Sequence, residues 1–422
     1  MNFKDSILNL GLRGLSMGAR FLLILYLGKF FSLDDLGFYG IFFSTVTLSF
    51  FLLGLDFYGY SNRETLYARV EDRLSVLRAQ LIFYLVTYAV FLLPLSLIFF
   101  YDVLPFEYIV FFYVILILEH LSQELYRIFT MLSYPIFANW LLFLRSGIWV
   151  YLIILGWTIL PNNTYSMSVI LWGWAIGAGV SVIIGFIKIF QLHKGYELKS
   201  MDLKWFIDGI KISALYFSST IALKIIEFSS RYMLEYWGSL REVGIFTFYN
   251  QIANMINVVI FTLFIMVVYP KLVLLVNQNN IRELLQVKRN MMNKILIYSS
   301  SLAILLIIII KPILYLINKS DFFDEINTFY ILILSNIILN VSLVYHYVLY
   351  AFRKDFSLFI STAIGAAANI LLNIILIQGF GLIGAAVAAL LSYIILALLK
   401  GVSSRKARAH FLQTTPQPID PI

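Results

Sequence analysis

Long apolar runs separated by short polar segments dominate this chain. A bilayer-spanning helix needs about 20 apolar residues, and twelve runs reach about that length. They are residues 8–31, 36–60, 79–101, 108–132, 136–160, 166–188, 206–233, 243–270, 292–317, 327–352, 356–378 and 380–400. The runs are continuously apolar rather than alternating, which excludes a transmembrane β-barrel. The pattern therefore predicts an all-α integral membrane protein with twelve transmembrane helices.

Two pairs of short segments repeat at a constant spacing of 207 residues. Residues 32–39 (SLDDLGFY) parallel 239–246 (SLREVGIF), and 176–180 (IGAGV) parallel 383–387 (IGAAV). A unit of six helices is even, so we expect two six-helix bundles of the same orientation, related by a parallel pseudo-two-fold repeat. The expected division is an N-terminal lobe 1–192, a cytoplasmic linker 193–205, a C-terminal lobe 206–400 and a cytoplasmic tail 401–422.

Composition agrees with this class and excludes several others. The chain is 61% hydrophobic and 13% charged, with a mean hydropathy of +0.88, whereas soluble domains are about 25% charged. It has no cysteine, and its four histidines lie far apart, so no metal site and no disulfide are predicted. The net charge of +8 is more informative as a distribution between two membrane faces than as a sign of nucleic-acid binding.

The distribution of Lys and Arg predicts the topology. The N-terminus, the tail and the loops after every second span carry 21 of these residues with the adjoining span ends, while the opposite side carries four. Basic residues are retained on the cytoplasmic side. We therefore expect both termini in the cytoplasm.

Arg13 and Arg20 lie within the first predicted span, seven residues apart and thus on one helical face. Gly11, Gly14 and Gly18 form a small-residue stripe on another face, which would allow close packing against a neighbouring helix. A charge in the middle of a membrane helix costs roughly 2.5–3.5 kcal/mol even on the lenient insertion scale. The arginines are therefore expected to face an aqueous cavity rather than lipid.

The seventh predicted span repeats this arrangement in the second half. Lys224, Glu227 and Arg231 are spaced by three and four residues and share a face. Subtraction of 207 from Glu227 gives the position of Arg20. Four cations against one acid leave surplus positive charge, which predicts an anionic ligand, and Arg suits phosphate. The candidate anion-binding residues are therefore Arg13, Arg20, Lys224 and Arg231.

Intramembrane acids are candidates for gating or coupling. Arg145 is expected to form a buried structural pair with Glu119 or Glu124, since charges in membranes usually pair. The alternative is that Glu119 or Glu124 binds H⁺ or Na⁺ as a coupling ion. Asp56 is placed to pair with Arg13 as an inner gate, and Glu227 completes the gating and coupling candidates. No other cofactor is predicted.

Three short motifs stand out: residues 33–39 (LDDLGFY), 53–62 (LGLDFYGYSN) and 381–386 (GLIGAA). They resemble the polysaccharide-exporter branch of the multidrug/oligosaccharidyl-lipid/polysaccharide (MOP) superfamily, most of all Wzx-type O-antigen flippases. The resemblance implies a two-lobed bacterial inner-membrane protein, similar to MATE transporters and lipid II flippases. It also implies that undecaprenyl-pyrophosphate-linked oligosaccharide is the substrate and that a cationic cavity holds its diphosphate.

The resemblance also implies partners: the lipid-linked oligosaccharide, membrane lipids and polysaccharide polymerase machinery, with no nucleic acid. Two alternatives stay open. One is a cation-coupled multidrug exporter of the same superfamily, supported by Asp56, Glu119 and Glu124. The other is a membrane-embedded polysaccharide polymerase or glycosyltransferase, which the short outer loops disfavour. The chain has no nucleotide-binding phosphate loop, so no ATPase and no other enzyme activity is expected.

Overall fold

The structure is a computed structural model that describes residues 3–159, 165–192 and 199–414. The described residues are almost entirely helical. The helices are α1 (Phe3–Phe30), α2 (Leu33–Gly54), α3 (Tyr58–Tyr67), α4 (Arg73–Leu95), α5 (Leu97–Phe100), α6 (Ile109–Met131), α7 (Pro135–Phe143), α8 (Trp149–Ile159), α9 (Met167–Leu192), α10 (Leu203–Trp237), α11 (Leu240–Ile260), α12 (Met266–Asn277), α13 (Ile281–Ile317), α14 (Ser320–Asp324), α15 (Ile326–Ala351) and α16 (Asp355–Thr414). Two π-helical turns, Leu144–Ile148 and Phe261–Ile265, connect α7 to α8 and α11 to α12.

Within the described ranges, eleven helical stretches are long and apolar enough to cross a bilayer, which supports a multi-pass membrane protein. The sequence predicted twelve separate spans. The difference lies in Asp355–Gln413, which contains the last two predicted spans. These two helical segments of α16 meet at Gly381, whose backbone is not helical, with φ 53° and ψ −128°. Asn369 before this glycine donates to Ser392 after it at 3.0 Å, so the chain reverses direction at Gly381 and the two segments pack side by side.

The chain divides into two compact units, Met1–Phe217 and Ser218–Ile422, and the division lies within α10. In the first unit, α4, α6, α7 and α9 bury a shared apolar cluster that includes Leu77, Leu125, Phe129 and Leu141. In the second unit, Ala222 and Ile226 of α10 pack against Ala366 and Leu396 from the two segments of α16. Small residues here allow helix backbones to approach closely.

Polar contacts reinforce the second unit. Ser229 donates to Asn369 Oδ1 at 2.6 Å, and Ser230 donates to Asn373 Oδ1 at 3.1 Å. Asn369 in turn donates to Ser392 Oγ at 3.0 Å. Hydrogen bonds between helices satisfy polar groups that would be costly in an apolar surrounding. They tie α10 to both segments of α16.

Two helices begin with the same cap at positions 207 residues apart. The backbone N–H of Asp35 donates to Ser32 Oγ at 3.0 Å at the start of α2, and that of Glu242 donates to Ser239 Oγ at 3.3 Å at the start of α11. Serine is a preferred N-cap because its oxygen accepts from an otherwise unpaired backbone donor. The first motif of the repeat therefore has the same local structure in each unit, while the lobe boundaries and the pseudo-two-fold relation remain predictions.

Candidate functional site

Arg20 stands out among the charged residues of the first unit. It lies near the middle of the span Ile7–Phe30, and its side chain is exposed. Among the described residues, no carboxylate lies within salt-bridge distance of its guanidinium, and none forms a hydrogen bond with it. It interacts electrostatically with Glu119 and with Arg145. Five N–H donors are thus available to a ligand at a depth where lipid could not solvate them.

Arg13 lies two turns earlier on α1 and has neutral partners. Its Nε donates to Asn139 Oδ1 at 3.1 Å, and its Nη2 donates to the Tyr126 hydroxyl at 3.2 Å. Its side chain is half-buried. The predicted pairing of Arg13 with Asp56 is wrong for this structure, because Arg13 has neutral partners and Asp56 interacts electrostatically with Arg127. The charge of Arg13 is therefore not neutralised by a paired acid.

The expected glycine packing of α1 is only partly present. A Cβ at Gly11 or Gly14 would meet nothing within 4 Å, whereas one at Gly18 would lie 3.1 Å from the Tyr151 hydroxyl. That hydroxyl donates to the carbonyl of Leu15 at 2.8 Å. Of these three glycines, Gly18 alone is closely approached by another residue. The neighbour is the Tyr151 side chain and not the backbone of a facing helix.

Glu119 and Arg145 form the predicted structural pair. Arg145 Nε lies 3.5 Å from Glu119 Oε1, and both side chains are largely buried. Arg145 Nη1 also donates to Gln123 Oε1 at 2.6 Å, and Trp174 Nε1 donates to Glu119 Oε2 at 3.0 Å. Arg145 lies in the π-helical turn 144–148, a type of irregularity often found at functional sites. Together with Arg20, these groups carry a net charge of +1.

Glu124 pairs with Arg127, which the sequence analysis did not single out. Arg127 Nη1 contacts Glu124 Oε1, while Tyr84 and Gln80 donate to Glu124 Oε2 at 2.7 and 3.1 Å. Asp56 lies close enough to Arg127 to interact electrostatically. The spacing of three residues between Glu124 and Arg127 was the available signal, since such residues are neighbours on a helix. The acids proposed for coupling are thus engaged by basic or polar groups.

The break between α2 and α3 positions Asp56. Leu55 and Asp56 both have left-handed backbones, with φ 46° and 50°. Non-glycine residues adopt this region at a cost of roughly 1–3 kcal/mol, and such strain clusters at ligand sites and switch regions. Asp56 is 6% exposed. The carboxylate is therefore held inside the first unit by a strained turn rather than by a regular helix.

In the second unit, the predicted cations are not free. Lys224 Nζ lies 2.6 Å from Glu227 Oε2, so the two charges cancel. Arg231 is 2% exposed and donates to Thr247 Oγ1 at 3.3 Å, and its guanidinium lies over the Phe228 ring. Arg231 thus packs against α11 in this structure, and its role in an anion site stays a prediction.

The second unit contains a polar cavity of about 210 Å³. We call it the asparagine cavity, because Asn250, Asn254 and Asn257 of α11 and Asn336 of α15 line it. Its wall also includes the Lys224–Glu227 pair of α10 and Tyr393 of α16. The sequence analysis missed this cavity, although the spacing of four and three residues along α11 was a visible signal.

Comparison with solved structures identifies the fold. The chain superposes on a multidrug resistance MATE family transporter of the MOP superfamily in its inward-facing conformation, with a TM-score of 0.75, 14% identity and coverage of 97% of this chain and 99% of that chain. It also matches the lipid II flippase MurJ in an inward closed conformation, with a TM-score of 0.65, 17% identity and coverage of 99% and 94%. No family model matches the chain, and no curated protein matches its sequence. The chain thus has the transporter fold that MATE proteins and MurJ share.

Proposed function

We propose that this protein is a transporter that moves a polyprenyl-diphosphate-linked oligosaccharide across the bacterial inner membrane by alternating access. Its likeness to transporters of the MOP superfamily, one of them a lipid II flippase, supports the transport class. The observation that carries the choice of substrate is Arg20: an exposed intramembrane guanidinium without a hydrogen bond or a paired carboxylate among the described residues. Both termini are proposed to be cytoplasmic.

The charges around Arg20 favour an anionic ligand. Arg145 and Glu119 already form a pair, so Arg20 is the surplus cation of this group. A diphosphate entering the membrane needs charged partners, since an apolar route would impose a prohibitive desolvation cost. Arg presents a planar fork that binds phosphate oxygens in pairs. Arg20 is therefore proposed to hold the diphosphate, with Arg13 two turns away on the same helix adding positive charge.

The sequence predicted four cations around the diphosphate, and this proposal assigns it fewer. Lys224 is neutralised by Glu227, and Arg231 is buried. The diphosphate site is therefore assigned to the first unit alone. Glu119 and Glu124 are engaged by Arg145 and Arg127, which weakens the case for an acidic drug-binding cavity. Coupling to Na⁺ or H⁺ remains part of the proposal for these acids and Asp56.

A reconstituted transport assay tests the proposal. Proteoliposomes would carry a fluorescent polyprenyl-diphosphate disaccharide, and a membrane-impermeant reagent would report how much of it reaches the other leaflet. We expect transport by the wild-type protein, loss of at least nine-tenths of it in Arg20→Ala, and partial activity in Arg20→Lys, which keeps the charge without the fork. Lys29→Ala is the matched control, because Lys29 is an exposed cation at the end of the same helix.

Several results would contradict the proposal. Normal transport by Arg20→Ala would show that the guanidinium does not bind the diphosphate. Transport of a cationic dye but not of the lipid would favour the multidrug alternative. The transported lipid is expected to keep its mass, and a longer or altered glycan would indicate a polymerase or glycosyltransferase instead. Imposed Na⁺ and pH gradients in the same assay test ion coupling.

A further inference from the structure

The asparagine cavity has no net charge to offer an ion. Lys224 Nζ and Glu227 Oε2 are 2.6 Å apart, so the one cation and the one anion of the lining neutralise each other. A phosphate would have to compete with Glu227 for the ammonium, and a metal cation would have to compete with Lys224 for the carboxylate. The charges of the lining side chains therefore favour an uncharged ligand over either ion.

The cavity nevertheless presents polar groups to its interior. Asn250, Asn254 and Asn257 occupy one face of α11, since their spacing of four and three residues matches the helical repeat. Among the described residues, the side-chain amide of Asn250 has no hydrogen-bond partner, and neither does the Tyr393 hydroxyl. Polar side chains inside a membrane protein are usually satisfied, so groups left open towards a cavity indicate a polar ligand.

The kind of polar group narrows the ligand class. An amide side chain offers two donors and an acceptor with two lone pairs, and a hydroxyl offers one donor and accepts as well. A sugar carries several hydroxyl groups, each of which needs both kinds of partner. Phe246 and Phe261 add aromatic surface to the same lining. Convergent neutral hydrogen-bonding groups beside aromatic rings fit a carbohydrate better than an ion or an apolar molecule.

The size of the cavity sets a limit on what enters. The cavity has a volume of about 210 Å³. This is below the range of about 300–1,000 Å³ for sites that hold drug-sized ligands. It is room for one sugar ring rather than for a whole oligosaccharide.

We propose that the asparagine cavity is a subsite for one uncharged sugar ring of the transported glycan, with Asn250 and Tyr393 as its hydrogen-bonding residues. This inference rests on the proposed function, because it assumes that the glycan enters the protein. It assigns recognition of the sugar to the second unit and recognition of the diphosphate to Arg20 in the first. A ring bearing a carboxylate is disfavoured, because Glu227 would repel it and Lys224 is already paired.

Equilibrium binding to the full chain in nanodiscs tests the subsite, since nanodiscs avoid sugar-based detergents that would occupy it. The probes are polyprenyl diphosphate without sugar, the same lipid with one neutral hexose, and the same lipid with one uronic acid. We expect the hexose lipid to bind at least threefold more tightly than the other two. Asn250→Leu and Tyr393→Phe should each weaken hexose-lipid binding roughly three- to tenfold, the effect of one lost hydrogen bond, and leave the sugar-free lipid unaffected.

Two controls separate the subsite from the diphosphate site. Asn293→Leu makes the same substitution at an exposed position of α13 and should change nothing. Arg20→Ala should weaken all three lipids alike. Because neither Asn250 nor Tyr393 has a hydrogen-bond partner among the described residues, their variants are expected to fold normally.

The outcomes distinguish the two proposals. Equal affinity of the wild-type protein for all three lipids, or no selective effect of the two cavity variants, overturns the sugar subsite while the diphosphate site stands. A sugar-dependent loss in the cavity variants with no effect of Arg20→Ala upholds the subsite and overturns the diphosphate site. No binding of any probe by the wild-type protein overturns both.

Discussion

Arg145 Nε and Glu119 Oε1, 3.5 Å apart, join the π-helical turn after α7 to the middle of α6. Gln123 accepts from the guanidinium, and Trp174 donates to the carboxylate. Both charges are thus largely buried and hydrogen-bonded, which is the condition under which an ion pair survives in a low dielectric. Since Arg20 interacts electrostatically with both residues, the pair also sets how much positive charge Arg20 can offer a ligand.

Removal of Arg145 should destabilise the protein and impair transport. Arg145→Met leaves Glu119 buried without its cation, a change that typically costs about 3–5 kcal/mol. Glu119 is then free to attract Arg20, which would lower diphosphate binding as well. The double variant Glu119→Gln with Arg145→Met restores neutrality and should recover most of both properties. Thermal unfolding and lipid transport would be measured together, and a double variant no better than Arg145→Met would contradict this account.

Variants of the Glu124–Arg127 pair can distinguish a structural role of Glu124 from a role in ion coupling. Glu124→Gln removes the paired acid of Arg127, leaves Asp56 as the other described acid that interacts with it, and should lower the unfolding temperature. If the pair is structural, Glu124→Gln combined with Arg127→Gln removes both charges and should restore folding and most of the transport. If Glu124 carries the coupling ion, the double variant should fold well and still fail to respond to Na⁺ or pH gradients. The same variants in the gradient assay decide between these roles.

Most of the fold follows from the sequence because membrane helices are encoded by local apolar length. The apolar runs that begin at residues 36 and 243 predicted the helices that begin at Leu33 and Leu240. The reversal at Gly381 was less accessible, because only residue 379 separates the apolar runs 356–378 and 380–400, and such a short gap is also compatible with one continuous helix.

The sequence predicted which charged residues belong to the candidate site, but not which partners each of them contacts. The sequence identified Arg20, Arg145 and Glu119 as unusual intramembrane charges, and the structure brings them together. It could not show that Arg231 is buried against Thr247, since burial depends on the rotation of α10 relative to α11. The asparagine cavity was missed because neutral amides on an apolar helix carry no charge signal, and only the packing of four helices makes them face one another.

The matching N-caps give a test of local stability in both units. Ser32→Ala and Ser239→Ala should each cost about 1 kcal/mol, because one backbone donor at the start of α2 or α11 loses its acceptor. Ser32→Ala should cost more, since the Ser32 hydroxyl also donates to Asp35 Oδ2 at 2.6 Å and alanine removes that bond as well. Asparagine at either position keeps an acceptor without adding a charge beside Asp35 or Glu242, and it should be nearly neutral. Unfolding temperatures of the four variants check this, and equal losses for alanine and asparagine would contradict the capping role.

Gly381 is expected to resist replacement, because its backbone joins the two segments of α16. Its φ of 53° with ψ of −128° belongs to a region that side chains strongly disfavour, and a Cβ there would also lie 3.3 Å from Glu242 Oε1. Gly381→Ala should therefore destabilise the protein by roughly 1–3 kcal/mol. Gly379→Ala is the matched control two residues away, because a Cβ at that position meets nothing within 4 Å. The measurement is the unfolding temperature of each variant beside the wild-type protein. An equal unfolding temperature for Gly381→Ala and Gly379→Ala would mean that the turn between the two segments of α16 does not need the backbone conformation of Gly381.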